Sequence, residues 1–381
     1  MREIEQEFAV SFRYPVIFTR AVFAPENATL ADVLARAGEG PHRAVVVVDE
    51  NVLRAWPDLA ARITAYAGAH PSLEIVAEPH VVPGGEASKS DPSIVDELHR
   101  LLAQHGVCRH SFVLAIGGGS VLDAAGYAAA LVHRGVRLLR VPTTVLAQND
   151  AGIGVKNAVN FQQRKNFLGT FVPPFAVLND LDFLETLSAR DRRSGVAEAV
   201  KVALIRDAKL FCWLHENRER LARFEPEATE EMVVRCAELH LEHIRTSGDP
   251  FELGSARPLD FGHWAAHKLE ELSGYELRHG EAVAAGIALD SLYANRKGLI
   301  ADEARHAIFE TLDDLGFDVA LPVFEHLDVE QALEDFRAHL GGNLCVTLID
   351  RIGHGVDVRE IDVGTMRSCV ADLRNHASRP H

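Results

Sequence analysis

Four consecutive valines, Val45 to Val48, sit between Ala44 and Asp49. A run this apolar, with no polar alternation, has no face to offer water, so as a strand it must be covered on both sides. A parallel sheet with helices on each face provides that cover. The rest of the first half agrees. Strand-like runs recur at Leu73–Val76, Phe112–Ile116 and Leu138–Val141, with amphipathic helical patterns between them at about 52–66, 91–105 and 119–133. The alternation predicts a doubly wound, Rossmann-like α/β domain. An extended segment, Ala9–Thr19, is expected to add a hairpin or an edge strand. From about residue 188 helical patterns take over, with a late strand expected at Leu344–Ile349. The reading is an α/β domain over 1–184 and a mainly α-helical domain over 185–381.

Charge and cysteine content narrow the class. With 381 residues and a formal charge of −16, the chain lacks the concentrated basic surface that nucleic acid requires. Local lysines can still hold a small anion. Cys108, Cys212, Cys236, Cys345 and Cys369 form no CxxC pair, as expected of thiols in a reducing compartment. Met1–Glu7 is acidic rather than a basic leader, and no apolar run approaches membrane-spanning length, so a cytoplasmic protein with no membrane partner is expected.

Chemistry is concentrated in a few motifs. Phe112–Ile116 runs into Gly117-Gly118-Gly119 and then a helical pattern containing Asp123. That turn suits either a pyrophosphate cradle or a plain strand–helix junction, and it is not GxGxxG. Asp49, at its strand end, suits a ribose contact and a helix N-cap equally well. Pro83–Ser90 is a second Gly-rich turn, carrying Glu86 and Lys89. Thr143, Thr144, Asp150, Lys156, Arg164, Lys165 and Asn166 lie on a glycine-punctuated stretch read as an anion-binding loop, because lysine and asparagine donors can converge on phosphate oxygens. His263 and His267 are one helical turn apart, His279 opens the next helical pattern, and Glu198 stands in an otherwise apolar helix. Two imidazoles and a carboxylate are the donor set of a catalytic zinc-like site; two partly exposed histidines on a helix are the plainer alternative.

In this order the motifs resemble the sugar phosphate cyclases, of which dehydroquinate synthase is the best known. The resemblance spans Gly117–Asp123, Val141–Asn157, Arg164–Gly169, Phe183–Lys201, Asp260–Glu270 and Arg278–Gly286. It implies an NAD-binding α/β domain, a helical metal-binding domain, a divalent metal (Zn²⁺ or Co²⁺) and a homodimer. By residue, it implies metal ligands at Glu198, His263 and His279, and polar catalytic groups at Asp150, Lys201 and Asp260. Lys156, Asn166 and His267 match the substrate-phosphate grip, together with an arginine from the neighbouring subunit that matches Arg134. NAD contacts match Asp49, Glu86, Lys89, Gly118, Gly119, Asp123, Thr143, Thr144 and Lys165. In such enzymes NAD⁺ transiently oxidises a hydroxyl of a sugar phosphate, phosphate leaves by β-elimination, the hydride returns, and an aldol step closes the ring.

Departures from the dehydroquinate synthase pattern bear on substrate. His240 aligns with a lysine, and Ala256 with an arginine, that together grip the substrate carboxylate. Asp260 replaces an asparagine, and His339 aligns with a C-terminal lysine. Losing two charge-assisted contacts of about 1.5–3 kcal/mol each weakens a carboxylate substrate roughly 10²–10⁴-fold. A neutral imidazole at His240 is expected to be a poor substitute, although Arg257 stands one residue from the lost arginine. The sequence around Asp150–Asn157 is closer in pattern to sedoheptulose 7-phosphate cyclases of the 2-epi-5-epi-valiolone synthase type. The competing readings are 3-dehydroquinate synthase, an NAD-dependent polyol dehydrogenase of the glycerol dehydrogenase type, and a non-catalytic binding relative.

Overall fold

The computed structural model describes residues 1–162, 164–251 and 259–376. Ala256 and Arg257 lie outside them, as does the side chain of His339. Two compact units result: Met1–Pro142 with Val155–Asp180, and Thr143–Gly154 with the chain from Leu181 onward. The short excursion Thr143–Gly154 is not captured by one boundary near residue 184.

The first unit is built on a parallel sheet. Its strands are β1 (Val16–Thr19), β2 (His42–Asp49), β3 (Leu73–Ile75), β4 (His80–Val82), β5 (Phe112–Gly117) and β6 (Arg137–Pro142), completed by β9 (Ala176–Asp180). The order is β1-β9-β6-β5-β2-β3, with β4 also pairing with β2. The valine run lies on an interior strand, one in from the edge formed by β3 and β4, with Val47 opposite Ala115 and Val48 opposite Ile116, and Val45–Val48 are at most 1% exposed. The N-terminal extended segment becomes an edge strand only over Val16–Thr19, parallel to β9. Between β6 and β9 the stretch read as an anion-binding loop forms a π-helical turn, Ala147–Ala151, and then an antiparallel hairpin, β7 (Lys156–Phe161) with β8 (Arg164–Phe171).

The second unit is helical. The helix Ala189–Arg206 packs against Pro226–Thr246, His279–Arg296 and a π-helical turn, Ala147–Ala151. The helix His263–Leu272 packs on His279–Arg296. The late strand exists as β10 (Val346–Arg351), paired with β11 (His354–Val358).

Candidate active site

Ser194 to Ile205 is buried along its whole length, and Glu198 is completely inaccessible. A carboxylate placed so deep must be paired or ligated where it stands. Its Oε2 lies 2.5 Å from Lys201 Nζ. Its Oε1 faces two imidazoles, 3.3 Å from His279 Nε2 and 3.6 Å from His263 Nε2. The other ring nitrogens are held from behind: His263 Nδ1 sits 3.2 Å from the Phe261 carbonyl, and His279 Nδ1 3.3 Å from Glu270 Oε2. Such outer contacts fix ring orientation and point the free nitrogen at a common centre.

Close helix packing brings the three donors together. A Cβ on Gly280, next to His279, would lie 2.3 Å from the Ser194 carbonyl oxygen, and Gly280 N–H donates to Ser194 Oγ at 3.0 Å. A Cβ on Gly262, next to His263, would lie 2.6 Å from Ile287 N, and its φ of +77° is a conformation that favours glycine. Glycine beside each histidine thus lets its helix approach the neighbouring backbone.

The residues fit a divalent cation. Ligand bonds of about 2.0–2.2 Å in a tetrahedron put donors about 3.3–3.6 Å apart, which matches the two spacings from Glu198 Oε1. All three donor atoms lie within 4.8 Å of one another. Electrostatics sort the groups. Burial, then the Lys201 charge, holds His263 down to about 3. At His279 burial opposes protonation, but Glu270 and Glu198 outweigh it and lift the group to about 9, so a cation and a proton compete for that nitrogen. Burial disfavours the charges of Glu198 and Lys201 as well. Their mutual attraction, helped by the two imidazoles on one side and by Asp150 and Asp260 on the other, keeps both ionised.

The π-helical turn delivers Asp150. Thr144 Oγ1 accepts from Ala147 N–H at 3.1 Å, and Asn149 Nδ2 donates to the Gly195 carbonyl at 2.8 Å. Asp150 Oδ1 then lies 3.1 Å from His240 Nε2, while His240 Nδ1 faces the Cys236 carbonyl at 3.1 Å. This corrects the expectation of a neutral His240. Burial opposes its charge, but Asp150 raises the group well above the usual imidazole range, and Asp150 is held down to about 2. His267 is exposed, its ring centroid 5.5 Å from that of His263 and 6.2 Å from that of His279. The Asp260 carbonyl accepts from His263 N–H at 3.0 Å, and Thr143 is buried.

A separate polar cluster occupies the first unit. Gly118 caps the helix Gly119–Leu131 without any side-chain cap, leaving first-turn N–H groups free for an anion. A Cβ on Gly117 would come 2.9 Å from Val121 Cβ. Asp49 is an N-cap here, accepting from Asn51 N–H at 2.8 Å, and it also bonds the Gly118 backbone. Lys89 Nζ is 2.7 Å from Asp123 and also donates to Asn166 Oδ1. Glu86 accepts from Asn160 Nδ2 at 2.7 Å and from Ser120 Oγ at 3.4 Å. A glycine turn at an uncapped helix start, ringed by fixed polar groups, fits a dinucleotide. Lys156 opens β7 and Lys165 and Asn166 lie at the start of β8; Lys156 and Asn166 are exposed, as is Arg134, in a turn with φ of +65°. Lys156, Asn166 and Arg134 belong to the first unit and His267 to the second.

Two residues were missed by sequence reasoning. Asn160 ties Glu86, Ser90 and the Asn166 N–H together, and only the hairpin register shows this. Asp290 is wholly buried in a helix of small apolar residues, the same signal that singled out Glu198.

Family models for the 3-dehydroquinate synthase N-terminal and C-terminal regions match residues 79–194 and 195–338. A 3-dehydroquinate synthase of Xylella fastidiosa strain 9a5c is 34% identical over 337 residues, covering 86% of this chain and 80% of that protein. The 2-epi-5-epi-valiolone synthase of Streptomyces hygroscopicus subsp. jinggangensis 5008, solved with NAD⁺ and Zn²⁺ bound, superposes with a TM-score of 0.87 and 31% identity over 97% of this chain and 99% of that one. A 2-deoxy-scyllo-inosose synthase, solved with carbaglucose-6-phosphate, NAD⁺ and Co²⁺, shares the fold at a TM-score of 0.72 and 22% identity, over 94% of this chain and 96% of that one. The chain belongs to the dehydroquinate synthase family of sugar phosphate cyclases.

Proposed function

We propose that the protein converts a heptulose 7-phosphate, sedoheptulose 7-phosphate in particular, into a cyclitol such as 2-epi-5-epi-valiolone with loss of phosphate. The observation that carries the choice of substrate is the Asp150–His240 pair. Where the resemblance expects a lysine reaching for a substrate carboxylate, this chain has an imidazolium facing Asp150 at 3.1 Å and the Cys236 carbonyl at 3.1 Å. That charge is neutralised within the protein, so a carboxylated substrate gains little from it. The similarity to a valiolone synthase supports the same reading.

When bound, NAD⁺ would supply reversible hydride transfer and a divalent cation would polarise the reacting oxygen. Glu198, His263 and His279 would hold the cation. Gly118, Gly119, Asp49, Glu86, Lys89, Asp123, Thr143, Thr144 and Lys165 would hold the dinucleotide. Lys201, kept protonated among carboxylates, is suited to donate to a developing oxyanion. Asp150, ionised beside His240, is suited to accept a hydrogen bond from a substrate hydroxyl and so orient it. Lys156, Asn166 and His267, with Arg134 of the partner subunit in a homodimer, would grip the phosphate and steady it as it leaves.

A second reading, 3-dehydroquinate synthase, is favoured by the curated relatives at 34% identity. Incubation with sedoheptulose 7-phosphate, and separately with the carboxylated heptulosonate 7-phosphate, separates the two by phosphate release and product mass. We expect kcat/KM to favour the neutral-headed sugar, with phosphate accumulating far beyond any NADH. Preference for the carboxylated sugar would establish the second reading. Stoichiometric NADH without phosphate would mean a polyol dehydrogenase.

A further inference from the structure

Asp290 lies in the helix His279–Arg296, wholly buried, among residues that are small and apolar. Both oxygens are engaged. Oδ1 accepts from Trp264 Nε1 at 2.9 Å, and Oδ2 accepts from Gly262 N–H at 3.0 Å. The partners are neutral donors, and burial lifts the carboxyl to about 7 against their pull. An ionisable group in such a place is costly, and a carboxylate is the one side chain of this size with an acceptor at both ends.

The two donors flank His263. Gly262 N–H belongs to the Phe261–Gly262 peptide, and the carbonyl of that same peptide lies 3.2 Å from His263 Nδ1. A peptide unit is planar, so fixing its N–H fixes the direction of its carbonyl. Asp290 therefore aims the carbonyl that holds the ring, and through Trp264 it grips the next residue along the helix. The turn has little other freedom. Gly262 is at φ +77°, and a Cβ on Gly286 would lie 2.1 Å from the Gly262 carbonyl oxygen.

We propose that Asp290 is a positioning residue for the cation site: it orients the His263 imidazole through the Phe261–Gly262 peptide. The inference rests on the reading that Glu198, His263 and His279 hold a divalent cation.

The test measures Co²⁺ affinity of the full-length protein by chelator competition, together with the visible absorption of bound Co²⁺ and the melting temperature of the metal-stripped form. Asp290→Asn keeps shape but turns an N–H₂ toward one of the two donors. It should weaken Co²⁺ binding by about 10–100-fold, the usual effect of removing an outer-shell partner, and alter the cobalt spectrum. Adding Trp264→Phe to Asp290→Asn removes the opposing indole donor, leaving the amide oxygen for Gly262, and should recover most of the affinity. A lower melting temperature for Asp290→Asn with unchanged affinity and spectrum would overturn the proposal and leave Asp290 a packing residue. If Asp290→Asn does not fold, Asp290→Ser carries the test: its shorter side chain withdraws the acceptor from Gly262 N–H, so a several-fold loss of affinity with an altered cobalt spectrum supports the proposal, and unchanged values overturn it; Trp264→Phe alone leaves that bond in place and should keep the affinity. His263→Ala distinguishes the underlying reading, because wild-type Co²⁺ affinity in that variant would overturn the ligand assignment itself, whatever Asp290 does.

Discussion

A buried imidazole with a carboxylate oxygen 3.1 Å from one nitrogen and a carbonyl 3.1 Å from the other has acceptors on both sides. The nearby Asp150 charge outweighs burial and raises the imidazole well above its usual range, so the Asp150–His240 pair is ionic. Its pH window follows from the two shifts. His240 is raised above its unfolded value of about 6.5, so its contribution is complete below that pH and is lost as pH rises through the raised value. Asp150 is depressed to about 2, so its contribution is complete above the unfolded value of about 3.9 and is lost as pH falls toward 2. The pair is therefore worth most between about pH 4 and 6.5. His240→Asn removes the imidazolium that faces the Asp150 carboxylate, leaving Lys201 as its remaining cationic neighbour. In metal-stripped protein at pH 5.5 it should cost toward the lower end of about 3–5 kcal/mol, since Asp150 keeps 30% of its side chain exposed. Urea unfolding of both proteins across pH checks this: the gap should shrink in alkali, and a constant gap would assign the stabilisation to packing alone.

Two close helix approaches in the second unit are made where glycine removes a side chain, and both lie beside a proposed ligand. Gly280 touches Ser194, one turn before Glu198 on its helix, and Gly262 touches the backbone at Gly286 and Ile287. Gly280→Ala would force its new carbon to 2.3 Å from a backbone oxygen that cannot rotate away. The helices must separate, at a cost of about 1–3 kcal/mol or more, and His279 moves with them. We expect a lower melting temperature by calorimetry and weaker Co²⁺ binding. Gly68→Ala is the control. That glycine lies in the helix Leu59–Ala69 with no atom within 4 Å of a new Cβ, so the change should stabilise by about 0.5–1 kcal/mol. The β7–β8 hairpin shows the limit of local reading at this scale. Lys156–Phe161 is half polar, with Lys156, Asn157 and Asn160, and its pairing with Arg164–Phe171 is a property of register.

At the scale of the molecule, the chain divides its polar equipment. The glycine turn with Asp49, Glu86, Lys89 and Asp123 belongs to one unit, and Glu198, His263 and His279 to the other. Ligands that bind only folded protein stabilise it by mass action, by about 2.7 kcal/mol at a hundred times Kd. NAD⁺ and Zn²⁺ should each raise the thermal midpoint, and chelation should lower it. In His263→Ala the Zn²⁺ shift should vanish while the NAD⁺ shift remains. Loss of both shifts together would place His263 in the fold rather than in the cation site.

How much of this was legible beforehand depends on the range of the physics. The valine run, the helical periodicities and the glycine turn before Gly119–Leu131 act within a few residues, so the parallel sheet and the helical half could be read from the sequence. Glu198 stood out for a similar reason, because a carboxylate in an apolar helix needs a partner wherever it is buried. His263 and His279 required only the turn between two helices. Tertiary structure decided what lies across space: the charge on His240, which depends on an aspartate ninety residues earlier brought to 3.1 Å; the excursion of Thr143–Gly154 into the second unit; and the grip of Asp290 on the peptide before His263. Periodicity reports which face of an element is buried. Which group waits on the other side is set by packing, and for a buried charge that neighbour determines its protonation and its role.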